Sequence, residues 1–226
     1  MGQINSISIL NASQEFGNNK RDPSGFLRIG EAFTPLFLLV FMFHAPVALI
    51  WLKIIPFEYR FHLFFCVLTG LVVYCSFRRY GLRELGFRTD NLRKSLCWNM
   101  LFCAVGAMGL YMTYKTGFLR PGNQTYLPYV YIFYVFFLGP VQEVFFRGIL
   151  FAEMKRAQIR DNRWILLIST LSFCFLHLIY RHPPLLLIAL ISGLTWGIIF
   201  TKWPNIWGIA LSHSLLGALA IFLGVI

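Results

Sequence analysis

The stretch Pro140-Val141-Gln142-Glu143-Val144-Phe145-Phe146-Arg147-Gly148 sets an amide, a carboxylate and a guanidinium inside an otherwise apolar, helix-forming run. Where a bilayer is the solvent, ionisable side chains in such a run are rare, turn to the protein interior, and mark a functional site with a partner close by. Glu143 and Arg147 are four residues apart, so on a helix they share a face and can pair, each offsetting part of the other's desolvation cost. Gln142 lies about 100° further round the same helix. The plainer reading is a buried structural ion pair, with His177 and His213 of later apolar segments as hydrogen-bonded membrane histidines.

Outward from this stretch the chain stays apolar. Of its 226 residues 58% are hydrophobic, 18% aromatic and only 13% charged, with a mean hydropathy of +0.65. Soluble domains carry about 45 to 50% apolar and about 25% charged residues, so both deviations point to a membrane protein. Apolar runs fall at about residues 33–52, 61–77, 96–114, 126–151, 164–180, 185–201 and 205–226. Each is near the ~20 residues a helix needs to cross the hydrocarbon core. The expected fold is therefore all-α, a polytopic bundle of about seven transmembrane helices, with the fourth long enough to tilt or bend at Pro140. Residues 1–31 read as a polar tail without the apolar core of a signal peptide. Residues 32–226 read as one helical domain with its motif core at 126–226.

The formal net charge of +11 does not imply a nucleic-acid partner, because the basic residues cluster in short loops between apolar runs. Fourteen of the 20 lie in the tail, after span 2, after span 4 and at Lys202; five (Lys53, Arg60, Lys115, Arg120 and Arg181) lie on the other side, and Arg147 is in the motif. The positive-inside rule then places the N-terminus in the cytoplasm and, with seven spans, the C-terminus outside. Basic and apolar residues alternate over Arg79–Arg88, which reads equally as a segment lying along the membrane surface or as a solvated loop. The five cysteines all lie in or beside apolar runs, form neither a disulfide framework nor a zinc motif, and read as small buried residues.

Chemistry is concentrated in three segments. Gln142, Glu143 and Arg147 lie in the fourth span; Phe173-Cys174-Phe175-Leu176-His177 stacks a ring one turn before an imidazole in the fifth; and His213-Ser214-Leu215-Leu216-Gly217 lies in the seventh. His44 and His62 have no acidic residue in their spans and His182 falls in a loop, so these three read as structural.

The order and spacing of these segments resemble the CPBP family of intramembrane proteases, the CAAX-processing and bacteriocin-processing enzymes, over roughly residues 80–226. The family's motifs are E-E-x-x-x-R, F-x-x-x-H and H-x-x-x-N; here they read Gln142-Glu143-x-x-x-Arg147, Phe173-x-x-x-His177 and His213-x-x-x-Gly217. The resemblance implies an intramembrane endopeptidase of membrane-associated peptides or proteins, in contact with membrane lipid, with no metal and no cofactor. It further implies that a carboxylate at position 142 activates water, that His177 and His213 orient it or stabilise the oxyanion, and that Glu143 and Arg147 hold the site together.

Two departures bear on activity. Gln142 stands where the family has its first Glu, and an amide can hydrogen-bond water but cannot accept its proton. Gly217 stands where the family usually has Asn, which removes a possible oxyanion donor. The expectation is a protease inactivated or impaired at position 142, by design or by descent; the alternative is a non-catalytic pseudo-protease that binds substrate or partner proteins. A zinc site built from Glu143, His177 and His213 lacks an H-E-x-x-H pairing, and a proton-coupled carrier lacks the paired broken helices of transporters.

Overall fold

The computed structural model describes residues 23–117 and 128–224, so the greater part of the expected tail, residues 1–22, lies outside the described residues. Seven long helical segments appear among them, one for each expected run: α1 Pro23–Trp51, α2 Arg60–Arg78, α3 Leu92–Lys115, α4 Pro128–Arg156, α5 Asn162–Leu176, α6 Pro183–Lys202 and α7 Ile206–Phe222. α1 starts at Pro23, earlier than the expected boundary at residue 32. The first six segments, with α5 counted on through its 3-10 turn to Tyr180, are long and apolar enough to cross a membrane. α7, with 17 residues, reaches about 25 Å and is the shorter seventh.

The outer faces are apolar and open, with Phe37, Phe77 and Phe136 71%, 82% and 77% exposed, as suits helices whose neighbours are acyl chains. α4 is the central element: 56% of its most apolar window is buried, against 6% for the helix over Phe57–Arg78. α7 packs against α3 and α4, α5 packs against α6, and α1 packs on α2 and the end of α4.

Local chemistry explains the ends. Asp161 caps α5 by accepting from Arg163 N at 2.8 Å, and Pro183 and Pro184 open α6, where missing N–H groups cost nothing. Asn205 caps α7 by accepting from Gly208 N at 3.2 Å while its amide donates to Arg88 O at 2.7 Å. That second bond ties the segment after α2 to the α6–α7 junction. Gly86 of this segment has φ +88°, and a Cβ there would stand 2.7 Å from Phe200 Cε2; its carbonyl accepts from Ile206 N at 2.9 Å. The Arg79–Arg88 segment is a series of turns fastened to α6 and α7 rather than a loose solvated loop.

Just before Pro140 the helix widens into a π turn over Tyr134–Leu138, and a second covers Val144–Ile149. Gly139 N–H bonds to Tyr134 O, so the next bond in that register would run from residue 140 to Val135 O. Proline has no N–H to give. Ser214 Oγ of α7 supplies the missing donor to Val135 O at 2.8 Å, which locks α7 against the turn. At the far end of α4, Glu153 is fully buried and accepts from Arg78 Nη2 at 2.5 Å, from Arg78 Nε at 3.2 Å and from the Tyr80 hydroxyl.

The cysteines depart from expectation. None is buried, and Cys66 and Cys97 lie exposed on the outer face; a thiol is apolar enough to face lipid at little cost. His44 Nδ1 lies 2.7 Å from Val40 O, one turn back on its own helix.

Candidate active site

Glu143 and Arg147 point into the bundle and are both fully buried. Arg147 Nη1 donates to Glu143 Oε1 at 2.9 Å, across one turn of α4. Its Nη2 donates to Gly193 O of α6 at 2.9 Å, and its plane lies over the Phe173 ring, 4.8 Å from the centroid. One guanidinium therefore ties α4 to α5 and α6, a use of its fixed fork that a lysine could not reproduce.

His213 reaches the same carboxylate from α7, with Nδ1 2.5 Å from Glu143 Oε1. A carboxylate oxygen accepts from a ring N–H, so Nδ1 carries the hydrogen, and with a single proton on the ring Nε2 is left as an acceptor. Nε2 lies 3.2 Å from the Tyr134 hydroxyl. The imidazole is also stacked on Trp196 at 4.5 Å and 20°. Trp196 in turn donates to Ser212 Oγ at 2.7 Å, and Ser212 to Asn99 Oδ1 at 3.1 Å, so the ring's stacking partner is anchored by a buried polar chain reaching α3.

His177 closes α5. Its Nδ1 lies 2.9 Å from Phe173 O, and a carbonyl can only accept, so here too Nδ1 holds the hydrogen and Nε2 is left for other work. His177 borders two cavities. The first, about 290 Å³, is bounded by Tyr134, Phe173, Trp196, His213 and Gly217 together with apolar residues of α3 and α6. The second, about 100 Å³, lies on the α1 and α2 side and is bounded by Gln142, Arg60, Phe145 and Tyr180 among others.

The five residues singled out from the sequence are thus split. Glu143, Arg147 and His213 form one connected cluster; Gln142 and His177 share the smaller cavity. Neither of these cavities is bounded by all five, and Gln142 and Glu143, neighbours in sequence, point to different sides of α4. Gln142 Oε1 is buried and has no hydrogen-bond partner among the described residues. Among those residues no three His, Cys, Asp or Glu side chains stand close enough to hold a metal ion.

Tyr134 was not apparent from the sequence. It lies two turns before the motif in a run of aromatic residues, and only Gly217, a position without a side chain where one is usual, hints that something else fills the space. A Cβ built on Gly217 would overlap Tyr134 Oη, Cζ and Cε1.

Residues 124–219, which include every motif position above, match the family model Rce1-like, described as type II CAAX prenyl endopeptidase Rce1-like. Over this segment the chain is similar to that family. The Rce1-like match covers α4 to α7, the elements that supply the cluster, and the family is one of CAAX-type intramembrane endopeptidases. With its apolar helices and this similarity, the chain is an integral membrane protein. No curated protein and no solved structure matches the chain.

Proposed function

We propose that the chain has the site of an intramembrane endopeptidase for membrane-associated peptides or proteins, with position 142 as the water-activating position and an amide now occupying it. The observation that carries this reading is the division of labour on α4. Glu143 already accepts from a guanidinium and an imidazole through Oε1 and so serves to hold them, whereas Gln142 faces the small cavity beside His177. That cavity of about 100 Å³ has room for water, whose share of liquid volume is about 30 Å³. A carboxylate at 142 would take a proton from such water; the present amide can only hydrogen-bond to it. The larger apolar cavity on the other side of His177 suits the apolar side chains of a substrate. A prenylated CAAX peptide is the natural first probe, given the family.

The test compares the chain as written with Gln142→Glu in liposomes, using a prenylated CAAX peptide and an unlipidated single-span peptide. Gln142→Glu is expected to raise cleavage at least about a hundredfold, the lower end of what a positioned general base supplies. Equal cleavage by both forms would move the base elsewhere. Binding without cleavage by either would favour the pseudo-protease reading, for which Gln142 itself is the supporting observation. The basic loops support a cytoplasmic N-terminus, which labelling of single cysteines placed in the loops after α2 and α4 would check.

A further inference from the structure

Gly217 leaves the third motif without its amide, yet the space is not empty. The phenol of Tyr134, from α4, fills the volume that a side chain at 217 would take. Its hydroxyl lies 3.2 Å from His213 Nε2, and the residue borders the larger site cavity together with His177 and His213. Tyr134 is held there from two sides. It begins the π turn of α4, its own carbonyl accepting from Gly139 N–H, and the next carbonyl, Val135 O, is bound by Ser214 of α7.

We propose that the Tyr134 hydroxyl replaces the missing motif amide as the hydrogen-bond donor to the substrate oxyanion. The inference rests on the endopeptidase reading of the same site. In the resting arrangement neutral His213 presents Nε2 as an acceptor and Tyr134 O–H donates to it. With the scissile carbonyl beside His177, which borders both cavities, water from the position-142 side adds to the carbonyl carbon, its proton passes to the carboxylate of a Glu at 142, and the carbonyl π electrons move to an oxygen on the Tyr134 side. Rotation about the tyrosine Cζ–Oη bond then turns the hydrogen from Nε2 to that oxygen. A neutral hydrogen bond is exchanged for a charge-assisted one, about twice as strong, and the gain arises only in the transition state, where it lowers the barrier. No proton leaves Tyr134.

Position 217 and position 134 are therefore alternative sources of one donor, and they exclude each other sterically. The experiment uses the full chain in liposomes with the Gln142→Glu substitution as background and the same two peptides as probes. Tyr134→Phe keeps the ring and is expected to lower kcat about a hundredfold with little change in KM and an unchanged melting temperature. Gly217→Asn with Tyr134→Ala is expected to regain kcat over Tyr134→Ala alone, because the amide enters the vacated volume. Gly217→Asn with Tyr134→Phe is expected not to regain it, because the ring still fills that volume. Undiminished kcat in Tyr134→Phe would overturn the proposal while leaving the protease reading intact. If Tyr134→Phe does not fold, the Ala and Asn pair decides alone: kcat no higher than that of Tyr134→Ala overturns the proposal. No cleavage by any form, Gln142→Glu included, would overturn the protease reading and this inference with it.

Discussion

Two carboxylates on α4, ten residues apart, are equally buried and differently used. Glu153 has both oxygens occupied, by the fork of Arg78 and the Tyr80 hydroxyl. Glu143 has Arg147 and His213 both on Oε1, and Oε2 has no partner among the described residues. An unsatisfied buried polar atom costs about 1 to 3 kcal/mol, a cost the Glu153 end of the helix does not carry. Burial and ion pairing therefore do not separate a structural carboxylate from a site carboxylate in this molecule; saturation does. The partners differ in kind as well. Glu153 is matched with a residue at the end of α2 and so fastens one helix end, whereas Glu143 gathers α4, α6 and α7 around histidines that border a cavity.

Substitution separates the two carboxylates, and Arg147→Ala is expected to have the largest effect. Removing one member of a fully buried pair leaves Glu143 uncompensated and costs about 3 to 5 kcal/mol, visible as a lower melting temperature in detergent. An unchanged melting temperature would mean that this pair does not hold α4 to its neighbours. Next comes Gln142→Glu, whose expected gain of about a hundredfold in cleavage corresponds to about 2.7 kcal/mol of barrier. Within that background, Glu153→Gln is expected to leave cleavage per folded molecule unchanged; a comparable loss there would erase the distinction between the two carboxylates. Arg78→Ala should destabilise less than Arg147→Ala, by about 1 to 2 kcal/mol, because the Arg78 side chain is 31% exposed where that of Arg147 is 0%. Equal losses from the two would show that exposure is the wrong guide.

The smallest effect is expected at Glu84, in the segment after α2. Its bond to Arg156 holds the carboxyl below the ordinary glutamate value of 4.5, with Arg156 Nε and Nη2 both at 2.7 Å. A depressed carboxyl contributes stability above its unfolded pKa and loses it as pH falls through the folded one. Glu84→Gln should therefore cost about 1 kcal/mol or less near neutral pH, as a partly exposed pair does, and nothing once the pH is well below 4.5. Melting curves of the two forms against pH would converge on the acid side. Curves that stay apart in acid would place the contribution elsewhere.

Apolar run length and the shortage of charge determined the number, order and approximate ends of the helices, because a segment in hydrocarbon must satisfy its backbone internally and only a helix does so within one segment. The i,i+4 spacing of Glu143 and Arg147 likewise determined that they could pair, since that distance is set by helix geometry alone. Gln142 and Gly217 were legible as departures at named positions.

Which side of α4 each residue faces was decided only in three dimensions. The two π turns break the simple 3.6-residue register, so the entry of Tyr134 could not be projected from spacing. Nor did the sequence single out Glu153, whose partners Arg78 and Tyr80 lie more than seventy residues away along the chain. A side chain's own helix is written in its neighbours at three and four residues. What fills the space opposite it depends on how helices cross, and so Tyr134 came to occupy the place left by a missing side chain on α7.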